Sequence, residues 1–325
     1  MEHTIKELIE HCRGRHIYIQ THNFPDPDAI ASGFGLQKLF SHFDIDSTVC
    51  YVGKIDRLNT KKMTELCGIE ILSKEDVASD MKESDWIICV DSQKGAGNIE
   101  DLVGDEIACI DHHPFVDNGD MYYRDVTAVG SCATIITGYF RELGVEMDRT
   151  TATALLYGIK MDTLHFTRGV TAADIDAFAY LFPMANEEIL QELEHNTMEF
   201  DDLRAYGEAI KNVTVYDRLG FARISFACPD ALIAVVSDFV LSLVEVEVAV
   251  VYSERPDGWK FSVRSEVPEI DAGKLVAGAL SGVGNGGGHA FMAGGMIRTE
   301  ELHKLGDYPE NYLQQRFFEE MKKQG

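Results

Sequence analysis

The amino-acid sequence predicts an α/β fold: an N-terminal open, mostly parallel sheet with helices on both faces, plus a smaller C-terminal α+β domain across a cleft. Three observations carry that prediction. Short β-rich apolar runs alternate with helix-period stretches through the first half, which is the pattern of βαβ units. Helical patterning then dominates from about residue 130 to 212. Beyond 212 two pairs of strand-like runs fold back around tight turns, as hairpins of a separate sheet do.

The elements follow in order. MEHTIKELIEHCRGR is amphipathic and charged and has no apolar secretion core. HIYIQTH (16–22), STVCYVG (47–53), DWIICVD (85–91) and EIACIDH (106–112) are near-continuous apolar runs, as strands covered on both faces require. AIASGFGLQKLFSHF, between the first two, places its apolar residues at helical spacing. GSCATIITGYFREL, TTATALLYGIKMD and TAADIDAFAYLF do the same. The stretch 186–212 is helical but charge-rich, and reads as a linker between a domain at 1–185 and another at 213–325. In the second domain NVTVYDRLGFARISF and VEVAVVYSERPDGWKFSVRS read as hairpins around D-R-L-G and R-P-D-G turns.

Composition narrows the partners. With 54 acidic against 29 basic residues the formal charge is −25, which excludes a broad basic face for duplex DNA or for an anionic membrane. No stretch reaches the ~18 uninterrupted apolar residues of a membrane span, so a cytoplasmic protein with no membrane partner is expected. The cysteines at 12, 50, 67, 89, 109, 132 and 228 form no C-x-x-C pair. Cys89 and Cys109 lie inside apolar runs, and the set reads as reduced, buried thiols.

In an open parallel sheet, ligands meet the loops beyond the carboxyl ends of the strands, and the polar residues of the first half collect there. The first run ends in His22 and enters a loop in which Pro25 and Pro27 restrict the backbone around Asp26 and Asp28. The third ends in Asp91, the fourth in Asp111, His112 and His113, and Asp162 closes the helical run before it. Singly, each has a plainer reading. Asp26 and Asp28 alone make a solvated turn, Asp91 a helix N-cap, Asp-His-His a polar strand end, and Asp162 a terminal acid that the helix dipole disfavours. Together, such charges repel unless a cation fills the site. Carboxylates with a minority of imidazoles suit Mn²⁺ or Mg²⁺, with Co²⁺ or Fe²⁺ also compatible, over a thiolate zinc site. The set exceeds the needs of one ion. Two ions about 3.5–4 Å apart would use it and activate a water against a phosphoryl group.

HNFPDPDAIAS, VDSQ, DHHP and GIKMDT, in this order and spacing, resemble the four motifs of the DHH phosphoesterase family. FSVRSEVPEIDAGKLVAGALSGVGNGGGHAFMAGG resembles the DHH-associated C-terminal domain, with an arginine on a strand and a glycine-rich GGGH loop. The resemblance covers nearly the whole chain and points to the stand-alone nano-RNase/pAp-phosphatase subgroup. It implies two divalent metal ions, Mn²⁺ first. His22, Asp26 and Asp91 would hold one, and Asp28, Asp91, His112 and Asp162 the other, with Asp91 bridging. Asp111 would orient its neighbours, and His113 would contact the scissile phosphate or protonate the leaving oxygen. Arg264, His289 and the amides of Gly286, Gly287 and Gly288 would hold the substrate's other phosphate or terminal nucleotide. The subgroup implies a homodimer.

The departures from the family pattern, Met292 and the pair Leu164–His165, touch no implied metal ligand. They bear on substrate fit, and His165 reads as a polar surface residue. GVGNGG fits G-x-G-x-x-G, but a helix precedes it in place of a strand, which excludes a dinucleotide-binding fingerprint. The expected function is therefore two-metal hydrolysis of short single-stranded oligonucleotides, linear dinucleotides such as pApA, or nucleotide bisphosphates such as pAp. The alternatives are an inorganic pyro- or polyphosphatase of the same family and a non-catalytic nucleotide sensor.

Overall fold

The computed structural model describes residues 3–55, 57–117, 119–195, 198–200 and 202–325. The chain divides into two compact units, Met1–Thr197 and Met198–Gly325.

The first unit opens with α1 (Ile5–Cys12), capped by a reciprocal pair in which Thr4 accepts from the Glu7 amide and Glu7 from the Thr4 amide. There follow β1 (Ile17–Thr21), α2 (Pro27–His42), β2 (Ser47–Tyr51), α3 (Leu58–Leu66), β3 (Leu72–Ser73), α4 (Lys74–Val77), β4 (Trp86–Val90), β5 (Asp105–Asp111) and β6 (Tyr123–Val126). The helices α5 (Cys132–Leu143), α6 (Arg149–Asp162), α7 (Ala172–Leu181) and α8 (Glu187–Glu194) complete the unit. All strand pairs are parallel, in the order β3-β2-β1-β4-β5-β6. The order reverses between β1 and β4, so the two central strands define a crevice at their carboxyl ends.

The four strands expected from sequence are present. β3 and β6 are additional; both lie at sheet edges, and β6 reads Tyr-Arg-Asp-Val with only Tyr123 and Asp125 buried, so it carries no continuous apolar run. Helix α2 starts at the β1 crevice because Asp26 caps it, accepting from the Asp28 and Ala29 amides, and Pro27 fits its first turn. It lies close against its neighbours because of Gly33 and Gly35. A Cβ at Gly33 would sit 2.9 Å from Val49, and one at Gly35 would sit 2.9 Å from Ile136.

The second unit contains α9 (Asp202–Asn212), β7 (Thr214–Tyr216), β8 (Leu219–Ile224), α10 (Asp230–Leu241), β9 (Val248–Arg255), β10 (Gly258–Ser265), α11 (Ala272–Leu280), β11 (Asn285–Gly288), β12 (Met292–Arg298) and α12 (Pro309–Gln324). Its sheet runs β11-β12-β10-β9-β8-β7. The β8–β9 pair, joined through α10, is parallel and the others are antiparallel, so the sheet is mixed. Both expected hairpins form. The first turns on Asp217 and Arg218, at φ 44° and 70°, which places Leu219 and Gly220 of the expected turn in β8 instead. The glycine-rich segment differs more: Gly286, Gly287 and Gly288 form the edge strand β11, not a loop. A glycine run has no apolar alternation to betray a strand.

The expected connector at 186–212 comprises α8 and α9; its residues 196, 197 and 201 lie outside those described. Leu193 of α8 is buried in the core of the first unit, whereas Ala205 and Ala209 of α9 are buried in the second. All seven cysteines are buried and unbridged. Among the described residues no helix is long and apolar enough to cross a membrane.

Candidate metal centre

His22 leaves β1, Asp91 leaves β4, and His112 and His113 follow β5, so adjacent central strands deliver their polar ends to the crevice at the switch point. Asp26 and Asp28 enter from the start of α2, and Asp162 from the last residue of α6. The structure brings these residues into three groups whose ligand atoms lie within 4.8 Å of one another: His22, Asp26 and Asp91; Asp28, His112 and Asp162; and Asp91, His112 and His113. Asp91 joins them. One carboxylate oxygen is 3.5 Å from His22 Nε2, the other 3.3 Å from His112 Nε2, and His112 Nε2 lies 3.3 Å from Asp162.

The imidazoles are oriented from behind. His22 Nδ1 is 2.9 Å from the Asn23 carbonyl and His112 Nδ1 is 3.1 Å from the Val129 carbonyl. A carbonyl accepts only, so each Nδ1 carries a proton and each Nε2 faces the cluster, where it offers a lone pair once it is deprotonated. That is the arrangement of a metal-ligating histidine. The Asp91 backbone adopts a left-handed conformation, φ 57°, fixed by its amide donating to the Ile110 carbonyl at 2.9 Å. Such a conformation in a non-glycine residue requires support from its surroundings.

Two buried atoms in the cluster have no hydrogen-bond partner, Asp91 Oδ1 and His112 Nε2. Buried polar atoms left unpaired are costly, and here they face one another beside three further carboxylates. Hard divalent cations satisfy both atoms and offset the charge, so the donor set fits them. The protein alone balances the charge with protons. Burial opposes a charged imidazole, but Asp26 and Asp91 bring His22 up to about 10, and Asp91, Asp28 and Asp162 bring His112 up to about 11. Burial, with Asp91 and Asp162 as like charges, pushes Asp28 well above the carboxylate range; burial and Asp26 raise Asp162 to about 6. Asp26 differs. Burial opposes its ionisation, yet His22 and the Ala29 amide hold it well below the usual range.

Adding Mn²⁺ to metal-free protein at pH 7 is therefore expected to release at least one proton. His22 and His112, at about 10 and 11, are protonated below those values and must lose protons to ligate, so apparent affinity rises with pH between 6 and 8. Calorimetry in two buffers of different ionisation enthalpy checks this. Zero proton release would contradict it.

Asp111 is fully buried and holds its neighbours in place. It accepts from the His112 amide at 2.8 Å, from His113 Nδ1 at 2.8 Å and from Gln93 Nε2 at 2.7 Å. Burial opposes its charge, but His113 and Gln93 keep its pKa lowered; burial likewise opposes a charged His113, which Asp111 and Asp91 raise. Gln93 also accepts from the Val116 amide and donates to the Pro114 carbonyl, clamping the β5 loop onto the β4 loop. The VDSQ motif contains Gln93, but its bonds are visible only in three dimensions.

A second residue missed from sequence is Asp174, at the start of α7. Its buried carboxylate accepts from the Gly130 amide at 2.9 Å, Thr134 Oγ1 at 2.6 Å and the Thr171 amide at 2.7 Å. Gly130 separates Val129, whose carbonyl orients His112, from α5, whose Cys132 and Ala133 amides hold Asp28 at 2.7 and 2.9 Å. T-A-A-D is legible as a capping pattern; the reach to Gly130 is not.

In the second unit Arg264 lies on β10, buried. Its Nε donates to Asp238 of α10 at 2.7 Å, and Nη1 to Ser262 Oγ and the Val263 carbonyl, both at 3.1 Å. The three glycines of β11 have different reasons to be small. A Cβ at Gly286 would meet Val276 at 2.8 Å and Gly288 sits at φ 150°, whereas Gly287 faces open space. His289 is exposed just beyond the strand, its amide donating to the Met292 carbonyl at 2.8 Å. His165 is also exposed, at φ 55° in a left-handed run with Leu164 and Phe166.

The fold and the cluster define an α/β protein with a carboxylate–imidazole centre suited to hard divalent cations, followed by a separate mixed-sheet unit. The chain belongs to the DHH family: residues 16–159 match the DHH family, N-terminal domain, and 219–315 match the DHHA1 domain. An uncharacterized protein of Methanocaldococcus jannaschii is 30% identical over 282 residues, 86% of this chain and 58% of that protein. The cyclic-di-AMP phosphodiesterase GdpP of Bacillus subtilis is 25% identical over 338 residues, 97% of this chain and 50% of that one. The chain thus spans about half the length of these two relatives. The probable bifunctional oligoribonuclease and PAP phosphatase NrnA of Streptococcus mutans is 27% identical over 297 residues, 86% of this chain and 88% of that one. Among solved structures, an exopolyphosphatase-related protein of Bacteroides fragilis shares the fold, with a TM-score of 0.78, 21% identity, and coverage of 97% of this chain and 96% of that one.

Proposed function

We propose that this protein is a divalent-metal-dependent phosphoesterase that hydrolyses short single-stranded oligonucleotides, linear dinucleotides or nucleotide bisphosphates. The observation that carries the proposal is the meeting of three ligand groups at Asp91 and His112, whose Oδ1 and Nε2 atoms are buried and without a hydrogen-bond partner. His22, Asp26 and Asp91 would hold one cation, and Asp28, Asp91, His112 and Asp162 the second. Mn²⁺ is the expected ion, and Mg²⁺ or Co²⁺ fits the same oxygen and nitrogen donors. When bound, the cations supply Lewis acidity, lowering the pKa of water and offsetting charge on the phosphoryl oxygens.

The chain's own residues do the rest. His113, with Nδ1 fixed by Asp111 and its pKa raised above the ordinary histidine value, holds the proton that the leaving oxygen requires. Asp111 keeps that ring aimed and supports its charge. In the second unit Arg264, oriented by Asp238, binds a substrate phosphate together with His289 and the amides of Gly286, Gly287 and Gly288. NrnA and GdpP, named for oligoribonuclease, PAP phosphatase and cyclic-di-AMP phosphodiesterase activities, support a nucleotide substrate.

Purified protein with Mn²⁺ is expected to release mononucleotides from a panel of di- to pentanucleotides, and to lose that activity in EDTA. Hydrolysis of inorganic pyrophosphate without turnover of any nucleotide would overturn the substrate class. Equal nucleotide turnover in EDTA would overturn the metal dependence.

A further inference from the structure

Phe24 stands midway between two proposed ligands, His22 and Asp26, and the chemistry above makes no use of it. Its backbone is left-handed, at φ 56°. That conformation is unfavourable for a bulky side chain, and the following Pro25 pushes its predecessor toward extended values of about −120°. Phe24 is 63% exposed, so burial of the ring does not offset the strain. Strain held in place without a packing gain is a mark of functional positions.

The loop is pinned from the two strands that flank β1. After β2, the Val52 carbonyl accepts from the Phe24 amide at 2.8 Å; after β4, the Asn98 carbonyl accepts from the Asn23 amide at 2.7 Å and the Glu100 amide donates to Asn23 Oδ1 at 3.0 Å. The ring is seated as well. A Cβ at Gly53 would meet Phe24 Cδ1 and Cε1 at 2.7 Å and Cζ at 3.0 Å, so the ring rests on bare backbone on one side and is open to solvent on the other. Two other exposed phenylalanines of the first unit are already engaged: Arg124 lies over the Phe115 ring at 5.2 Å, and Phe182 lies 5.5 Å from Phe178.

A fixed aromatic ring, backed on one side and open on the other, is a stacking surface for a flat ligand. Its place selects that ligand. Phe24 is two residues from each of His22 and Asp26, so its Cα lies within about 7 Å of theirs, and a phosphate held at the centre brings the base of its own nucleotide into reach. We propose that Phe24, seated on Gly53, stacks on the nucleobase of the nucleotide bound at the metal centre and favours purines, whose larger rings stack more strongly. This rests on the phosphoesterase reading above and adds to it a residue that reads the base, apart from the groups that hold phosphate.

The test compares three 5′-phosphorylated dinucleotides, diadenylate, diuridylate and the counterpart without bases, in wild type, Phe24→Asn and Phe24→Tyr. Wild type is expected to show a KM about tenfold lower for diadenylate than for the baseless compound, with diuridylate between them. Asparagine accepts the left-handed backbone without a ring, so Phe24→Asn should bring the three KM values within about twofold of one another, whereas Phe24→Tyr should keep their order. Fluorescence of 2-aminopurine riboside 5′-monophosphate with Mg²⁺ present reads stacking without turnover. Wild type and Phe24→Tyr should quench it and Phe24→Asn should not. Equal KM values for diadenylate and the baseless compound in wild type overturn the proposal, and that comparison stands even if Phe24→Asn does not fold. A loss in Phe24→Asn that falls equally on all three substrates, with a lower melting temperature, also overturns it and leaves the ring a prop for the loop. If wild type turns over no dinucleotide, the phosphoesterase reading falls, and the quench alone decides for or against the stacking surface.

Discussion

Asp91→Ala is expected to lower Mn²⁺-dependent phosphodiester hydrolysis by about 10³-fold or more and to reduce the bound metal below that of wild type. The magnitude follows from the several kcal/mol that metal ions contribute to transition-state charge stabilisation, at about 1.4 kcal/mol per tenfold in rate. Asp91 is the residue common to two of the ligand groups, and its two oxygens face different histidines, at 3.5 and 3.3 Å. Losing it would leave each proposed cation a ligand short and His22 and His112 without their shared partner. Alanine also tolerates φ 57° poorly, at a cost of about 1–2 kcal/mol, which clouds any stability reading. Asp91→Asn separates the two effects. Asparagine accepts the left-handed conformation and keeps the shape, so it should fold as wild type and still lose metal and activity. Metal content by mass spectrometry and the melting temperature with and without Mn²⁺ check both variants. Wild type should gain stability with metal, about 2.7 kcal/mol at a hundredfold excess over Kd, and Asp91→Asn should gain much less. Full activity with full metal content in Asp91→Asn would refute the bridging role.

The first sheet was legible because its strands are buried on both faces, so each appears as an uninterrupted apolar run ending in a polar residue. That same abrupt change, Val90 to Asp91 and Ile110 to Asp111, marks the site. What escaped was structure without apolar contrast: β6, where Arg124 and Asp125 interrupt the run, and β11, which is almost all glycine. The net charge of −25 was informative about broad surfaces and silent about local ones. Asp28 and Asp91 are among the most buried polar residues of the chain and belong to a cluster whose charge cations would offset. Bonds between distant loops were not legible at all. Gln93 to Pro114 and Asp174 to Gly130 span 21 and 44 residues, and no periodicity records them.

Asp174→Ala is expected to destabilise the protein by about 3 kcal/mol or more, because it strands several buried donors at once. The Gly130 and Thr171 amides and the Thr134 hydroxyl all lose the same charged acceptor. The contact is close: a Cβ at Gly130 would sit 2.8 Å from the Asp174 carboxylate. The larger consequence lies at the metal centre. Gly130 is flanked by the carbonyl that orients His112 and by the amides that hold Asp28, so loosening it frees two proposed ligands of the same cation. Mn²⁺ affinity should therefore fall about 10- to 100-fold, as it does when groups that orient metal ligands are removed. Asp174→Asn retains one carbonyl acceptor and should keep enough stability for the affinity to be measured on folded protein. Its chemical denaturation midpoint and its Mn²⁺ titration then separate two roles. A drop in both makes Asp174 a positioning residue for the centre. A drop in stability with unchanged Mn²⁺ affinity confines it to holding α7 against α5.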